Sequence, residues 1–497
     1  MRLRRVLVAN RGEIAIRVFR ACREAGIETV AVYSDADAGA PHVSAADTAV
    51  RIGPPPPRES YLNIDAILAA AREAGADAIH PGYGFLSENA SFARACEAAS
   101  VVFIGPTAET IDLMGSKIGA RTLMERAGVP VVPGMTPADQ SDGGILSAAT
   151  SVGFPALVKA SAGGGGKGMR VLDGPGSAEE KIGAARREAE SAFADGTLYV
   201  ERLVNRPRHV EIQIFGDSQG NVVHLFEREC SIQRRHQKVI EESPSVALTP
   251  ALRERMGQAA VKAARAARYR NAGTIEFLLE GSGNDARFYF LEMNTRLRVE
   301  HPVTEAVAGV DLVRAQLTVA AGEPLPWTQE KRTQRGHAIE CRVYTEDPSS
   351  GFLPQAGRLL LYREPGGPGI RVDSGVVEGG DVPVMYDPLL AKVTASAESR
   401  PAAIDRAIAA LRDFPVLGIR TNIPFMIRVL EHAAFISGDV HTGFIDQHLE
   451  ELTKPPDVAP AALAAAALVR LRQGFGETGL ANTASIDPWE SLAGWGR

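Results

Sequence analysis

The sequence predicts a multidomain protein of mixed α/β and α+β class. The first ~110 residues alternate strand and helix patterns, as a parallel α/β layer does. An apolar strand pattern, Ala156–Ala160, then runs straight into a glycine-rich loop, Gly163–Gly168. Strand runs next recur in pairs, Val210–Phe215 with Val222–Phe226 and Thr274–Glu280 with Arg287–Asn294, ahead of a Gly/Pro-punctuated, strand-rich stretch.

Taken in order, Val6–Ala9 is a buried-strand run, and Ile14, Val18 and Cys22 recur at helical spacing. Gly26 caps that helix, Ile27–Tyr33 is the next strand, and Pro54–Pro57 form a stiff connection. Asp77–His80 ends at the turn-rich Pro81-Gly82-Tyr83-Gly84. A second region opens near Met114-Gly115-Ser116-Lys117. A third runs from about His337 to Leu449 and contains an amphipathic helix, Ala402–Arg412. The closing segment starts at Pro455-Pro456, continues as an alanine-rich helix, and carries Trp489 and Trp495.

Composition narrows the function. Hydrophobic residues make up 45% and charged residues 23% of 497, ordinary for a globular enzyme. A net charge of −6 argues against nucleic acid or a membrane surface as partner. The four cysteines (Cys22, Cys96, Cys230, Cys341) lie far apart, which suits reduced thiols better than disulfides or zinc. The start runs directly into strand-like sequence without signal-peptide design, and Ala459–Val469 is too short to span a bilayer, so a cytoplasmic protein is expected.

Several clusters carry chemistry. The first strand–turn–helix resembles a dinucleotide-binding start, with Asp35 at a suggestive distance. Its turn, Asn10-Arg11-Gly12-Glu13, lacks the glycines that let backbone approach a pyrophosphate, so it reads as scaffold. The Gly163–Gly168 loop lets backbone N–H groups converge on phosphate oxygens. Lys167 is followed by Gly168, so this is not a Walker loop. A flexible linker is the alternative, but entry from a strand bearing Lys159 favours a phosphate lid.

If the turn Gly281–Asp285 centres on residue 284, Glu276 and Glu292 face each other across a hairpin, at ~5 Å between Cβ atoms. Carboxylates that close repel unless a cation lies between them, whether Mg²⁺ or Mn²⁺ shared with substrate phosphates or a nearby arginine. Continued as a strand, Glu292, Asn294, Arg296, Arg298 and Glu300 share one face, and Met293, Leu297 and Val299 the other. A functional cleft and a solvated edge strand both give that alternation. The cationic run Cys230–Lys238, followed by Glu241-Glu242, reads by itself as a solvated face or a nucleic-acid patch, and the overall acidic balance disfavours the second.

Asn10-Arg11-Gly12-Glu13-Ile14-Ala15, His80-Pro81-Gly82-Tyr83-Gly84-Phe85-Leu86-Ser87-Glu88-Asn89, Arg234-Arg235-His236-Gln237-Lys238, the glycine loop and the stretch Glu292 to Glu305 resemble the signatures of biotin carboxylases, members of the ATP-grasp superfamily. The match runs in order from about residue 3 to 449. The resemblance implies a Rossmann-like, pre-ATP-grasp layer over 1–114, an ATP-grasp domain over 115–335 with a mobile lid at about 135–204, a β-rich C-terminal domain over 336–449, and a partner-docking tail over 450–497.

The resemblance also implies residue roles. ATP is held by Lys117, Lys159, Glu201, Arg202, Val204, His209, Gln233 and His236, with Met169 and Leu278 packing on the adenine and Gly164, Gly165, Gly166 and Gly168 closing on phosphates. Glu276, Glu292 and Asn294 bind two Mg²⁺ or Mn²⁺ ions. Arg296 and the Val299 backbone hold bicarbonate, Glu300 is the base, and Lys238 contacts the reacting anions. Arg342 stabilises the ureido oxygen of biotin, with Tyr83 and Gly84 beside it. Arg298 stands where the family usually has glutamine, and the expectation is an active enzyme with an altered bicarbonate KM.

The implied activity is that of an ATP-dependent ligase forming a C–N bond between bicarbonate-derived carboxyl and biotin. No Met-Lys-Met carrier motif and no carboxyltransferase region are visible. Biotin is therefore expected on a separate carrier protein, with a carboxyltransferase partner and a homodimer or larger complex. The competing readings are another bicarbonate-using ATP-grasp ligase and a catalytically silent scaffold.

Overall fold

The computed structural model describes residues 2–162, 168–454 and 460–474. The chain falls into two compact units, Met1–Thr453 and Lys454–Arg497. In the first, the apolar runs of the N-terminal region form a parallel sheet of β1 (Arg5–Val8), β2 (Glu28–Ser34), β3 (Thr48–Gly53), β4 (Ala78–His80) and β5 (Val102–Phe103), in the order β3-β2-β1-β4-β5. Ile14, Val18 and Cys22 are buried along the helix Gly12–Glu24 that follows β1, as their spacing predicts. Strand order reverses between β1 and β4, where parallel α/β sheets open a crevice. There Asn10 donates from Nδ2 to the carbonyls of Pro81 (2.9 Å) and Tyr83 (2.7 Å), tying the two crevice loops together.

A four-stranded antiparallel sheet comes next: β6 (Gly134–Met135), β7 (Ala156–Ala160), β8 (Arg170–Leu172) and β9 (Leu198–Arg202), ordered β6-β9-β7-β8. Of the predicted phosphate lid, Gly163–Lys167 lie outside the described residues.

The largest sheet contains β10 (Arg208–Gly216), β11 (Val222–Arg234), β12 (Gln237–Ser243), β13 (Asn271–Glu280), β14 (Arg287–Asn294), β15 (His337–Tyr344), and the strands Leu389–Ala397 and Ile370–Ser374. Its order is β14-β13-β10-β11-β12-β15, then Leu389–Ala397 and Ile370–Ser374. β12 pairs with β15 (Ile240 opposite Cys341), so one sheet contains strands from both sides of residues 335 and 336. Leu252, Met256 and Ala260 of the helix Pro250–Ala266 join Ile212, Ile214, Ile275 and Phe277 in one apolar cluster. The opposite alternation of β10 carries His209, Glu211 and Gln213, all buried.

Two sequence expectations need correction. Glu276 does pair with Glu292, but the hairpin is not centred on residue 284. Its tip pairs Glu280 with Arg287 and Phe277 with Phe290, half a residue off that centre, and a bulge at Leu291 supplies the missing step. Nor does the strand continue to Glu300: β14 ends at Asn294. Leu297 is fully buried, and the carbonyl of Arg298 accepts from the His301 ring (2.8 Å), folding 295–300 into a turn that enters the helix His301–Ala308.

In the second unit the alanine-rich run forms the helix Pro460–Gly474, with Leu463 and Leu468 exposed. Trp489 and Trp495 lie outside the described residues. All four cysteines are free and buried. No described helix is long and apolar enough to cross a membrane.

Arg17 on the first helix is buried and donates from Nη2 to Glu305 (2.9 Å) and Asp311 (2.7 Å), joining the N-terminal layer to the helix behind the 295–300 turn. Arg17→Met takes one of two arginines from Glu305, which keeps Arg371 (2.6 Å), and the nearer cation from Asp311, at a cost of about 2 kcal/mol; calorimetry should show a Tm ~4 °C below wild type.

Candidate active site

Four carboxylates and four cations interlock where β10, β11, β12, β13 and β15 meet the 295–300 turn. Lys238 on β12 donates from Nζ to Glu211, to Glu276 (3.2 Å) and to Glu300 (2.7 Å). Arg298 reaches Glu276 with Nη2 (2.9 Å) and Glu300 with Nε (3.0 Å). Arg342 on β15 donates to the other Glu300 oxygen (2.9 Å) and pairs with Glu241. Arg228 closes the group on Glu211, with further donation to Gln213, Thr274 and Thr304. All eight charged side chains are buried. Isolated charges there would be prohibitively costly, so the site exists only because each is paired.

Burial alone would raise the acids. Instead Lys238, His209 and Arg298 hold Glu276 well below the usual carboxylate range. Arg298, Lys238, Arg342 and Arg228 likewise hold Glu300 well below it. Glu292 goes the other way, pushed up by burial and by Glu276. The two cations considered for this hairpin are thus divided: an arginine, Arg298, neutralises Glu276, while Glu292 makes no ion pair among the described residues. Asn294 bridges the two carboxylates, donating to Glu276 (3.0 Å) and Glu292 (3.3 Å). Hard oxygen donors with one uncompensated carboxylate fit a divalent cation such as Mg²⁺.

Around Glu292 converge positive groups that repel one another. Lys117 heads the helix Lys117–Arg126 and is lowered by burial and by Lys159. Lys159 bonds Glu201 (3.0 Å), which also takes Arg121 (2.9 Å). His209 Nε2 lies 2.9 Å from Glu276. His236, next in chain to Gln237 of β12, is lowered by burial and by His209, Lys159 and Lys117. Mutually opposed cations gathered at one place make a receptor for a polyanion. The β11–β12 turn that presents His236 holds Arg235 and His236 at φ 48° and 67°, strain that non-glycine residues tolerate mainly at functional sites. Gln233 sits opposite Lys238 across the same hairpin.

An apolar cluster lies next to His209, whose register partner is Leu278. Val204 packs with Val132, Tyr289 and Leu278, while Arg202 is clamped bidentately to Glu280 (2.9 and 2.8 Å). Gly168 is packed so that a Cβ would lie 2.8 Å from that of Ala160, and Met169 follows it just before β8. Gly164, Gly165 and Gly166 are among the residues not described.

The remaining predicted positions divide. Arg296 donates to Glu88 (2.8 Å) and to Asn294 Oδ1 (3.5 Å), and makes no ion pair with Glu300 among the described residues. The Val299 carbonyl accepts from Lys392 (2.9 Å). Tyr83 donates to Glu13, Gly84 takes φ 66°, and Tyr83 lies within electrostatic reach of Arg342. Sequence reasoning assigns no role to Glu88, Glu211, Arg228, Lys392, Glu13, Val132 or Tyr289. For Glu211 a signal exists: His209, Glu211 and Gln213 alternate with Val210, Ile212 and Ile214.

An acidic strand pair, converging lysines and a glycine loop between antiparallel strands together define an ATP-dependent ligase of the ATP-grasp type. Residues 116–328 match the ATP-binding domain of carbamoyl-phosphate synthase L chain. They are flanked by matches to the biotin carboxylase N-terminal domain at 2–111 and C-terminal domain at 340–447. The chain belongs to the biotin carboxylase family. It is 51% identical over 450 residues to the biotin carboxylase of Halalkalibacterium halodurans, covering 90% of this chain and 99% of that one. It is 49% identical over 446 residues to biotin carboxylase 1 of Bacillus subtilis, over 90% of this chain and 99% of the other. The crystallised biotin carboxylase domain dimer of Hydrogenobacter thermophilus 2-oxoglutarate carboxylase, bound to MgADP, ADP and bicarbonate, superposes with a TM-score of 0.88 at 44% identity, over 92% of this chain and 100% of that chain.

Glu276 and Glu300 sit below their ordinary value of 4.5, so their ionised, paired forms stabilise the fold above that pH and cease to do so as pH falls through the lower folded values. Lys238→Met removes part of this stabilisation. Its Tm deficit against wild type is therefore expected to be largest near neutrality and to narrow below ~pH 4.5; a deficit independent of pH would contradict the electrostatic account.

Proposed function

We propose that this chain uses ATP to move a carboxyl group from bicarbonate onto biotin borne by a separate carrier protein. The observation that carries the reading is Glu300, held ionised among Lys238, Arg298 and Arg342 a few ångströms from the Glu276–Glu292 pair and its ring of cations.

Lys117, Lys159 and His236 take the phosphates of ATP, Val132, Val204, Leu278 and Tyr289 enclose its base, and the Gly163–Gly168 loop covers it. Glu276, Glu292 and Asn294 would hold a divalent ion, which would supply charge neutralisation for the transferring γ-phosphoryl group. Glu300 takes the bicarbonate proton while Arg298, with Arg296 swung from Glu88, holds the anion's oxygens. The bicarbonate oxygen then attacks the γ-phosphorus and ADP leaves, giving carboxyphosphate. That species breaks to CO₂ and phosphate, phosphate accepts the biotin N1 proton, and N1 attacks CO₂. The buried Nε–H of Arg342 has no hydrogen-bond partner among the described residues, which leaves it to donate to the ureido oxygen and favour deprotonated N1. Tyr83 and Gly84 border the ring.

The carrier and a carboxyltransferase come from other chains, and the 450–497 tail docks one of them. The domain limits at 114/115, 335/336 and 449/450 remain our division of the chain, with 135–204 closing over the nucleotide. Self-association into a dimer is part of the same reading.

Purified protein with Mg²⁺ and bicarbonate should release ADP faster when biotin is added, and Glu300→Gln should abolish that stimulation. ATP hydrolysis indifferent to biotin would point to another bicarbonate-using ligase, and none at all to a scaffold. Arg298→Gln should raise the bicarbonate KM about tenfold, the value of one charged hydrogen bond, without lowering kcat. An unchanged KM and kcat would remove Arg298 from the site. Titration of Mn²⁺ into the ADP complex, read by electron paramagnetic resonance, should give at least tenfold weaker binding in Glu292→Gln.

A further inference from the structure

The turn that presents Glu300 is gripped from two sides by neighbours on adjacent strands. Arg342 on β15 and Lys392 on Leu389–Ala397 are directly opposite in register, so both project from the same face. Arg342 holds the Glu300 carboxylate at 2.9 Å. Lys392 holds the backbone, donating to the Val299 carbonyl at 2.9 Å. Lys392 is fully buried and forms an ion pair with Glu13 at 3.2 Å. Glu13 lies in the first turn of the first helix and also accepts from Tyr83. The fit there is close: a Cβ on Gly375 would sit 2.7 Å from the Glu13 nitrogen.

We infer that Glu13 and Lys392 are positioning residues for the carboxylation site: the N-terminal layer, through this buried ion pair, fixes the height of the Val299–Glu300 backbone. The inference rests on the function proposed above but concerns residues that touch neither ATP nor the reacting anions. A backbone carbonyl has no side chain to adjust, so loss of its ammonium partner lets the turn drift. Misplacement of a base by about 1 Å costs on the order of 100-fold in rate.

The test separates positioning from mere stability. Lys392→Met alone leaves Glu13 buried and unpaired and should lower Tm; Glu13→Gln/Lys392→Met removes both charges and should recover most of that loss. The double variant is expected to keep its ADP Kd within about twofold of wild type. Its kcat/KM for bicarbonate should still fall at least ~10-fold. Independently of turnover, hydrogen exchange of backbone amides within 295–301 should speed up in the double variant, with β10 and β13 unchanged. Wild-type kcat/KM and unaltered exchange at 295–301 would overturn the inference. If the wild type itself lacked biotin-stimulated turnover, the proposed function would fall, and the exchange measurement alone would decide the positioning role.

Discussion

Everything in this molecule is arranged around the burial of like charges. Glu211, Glu276 and Glu300 reach one ammonium, that of Lys238, and three guanidiniums share the excess. Such a cluster is not a natural core. Each partner repels its own kind as strongly as it attracts its opposite, so alternation in space must be near perfect. That demand fixes which strands may be neighbours. Lys238 reaches the acids of β10 and β13 only because β11 and β12 form a hairpin against β10, and Arg342 joins only because β15 extends the same sheet.

The same arithmetic separates a permanent structure from a receptive one. Around Glu300 the charges are satisfied, and its carboxylate is kept ionised. Around Glu292 they are not: a carboxylate pushed up by its neighbour faces lysines and histidines that oppose each other. A divalent cation together with a polyphosphate relieves both frustrations at once, which makes MgATP a better complement than either component alone. Adding Arg298 tightens the first region. It gives Glu276 and Glu300 a shared fixed cation, one that a neutral amide at this position cannot supply.

Much of this is legible in the sequence because local periodicity and close spacing carry it. The N-terminal strands, the helix on Ile14, Val18 and Cys22, and the pairing of Glu276 with Glu292 all follow from patterns within a few residues. A symmetric turn predicts that pairing, whereas the structure reaches it with an offset tip and a bulge at Leu291. The extension of alternation to Glu300 fails because the period of two persists in the residues after the backbone has left the sheet. What holds those residues is long-range: Glu88 on Arg296, Lys392 on Val299, Arg342 on Glu300. Glu13 reads as part of a scaffold turn and of a family signature, but its ion pair with Lys392 does not, since no propensity or spacing rule spans so long a separation in the chain.

The most direct test of the central claim is to follow the carboxyl group itself. Protein supplied with [¹⁴C]bicarbonate, MgATP and biotin should place label on biotin in an acid-labile form, with one ADP formed per carboxyl transferred and none transferred without ATP. ATP consumption that leaves biotin unlabelled would contradict the account, because the charge arrangement around Glu300 and Arg342 would then serve a different acceptor.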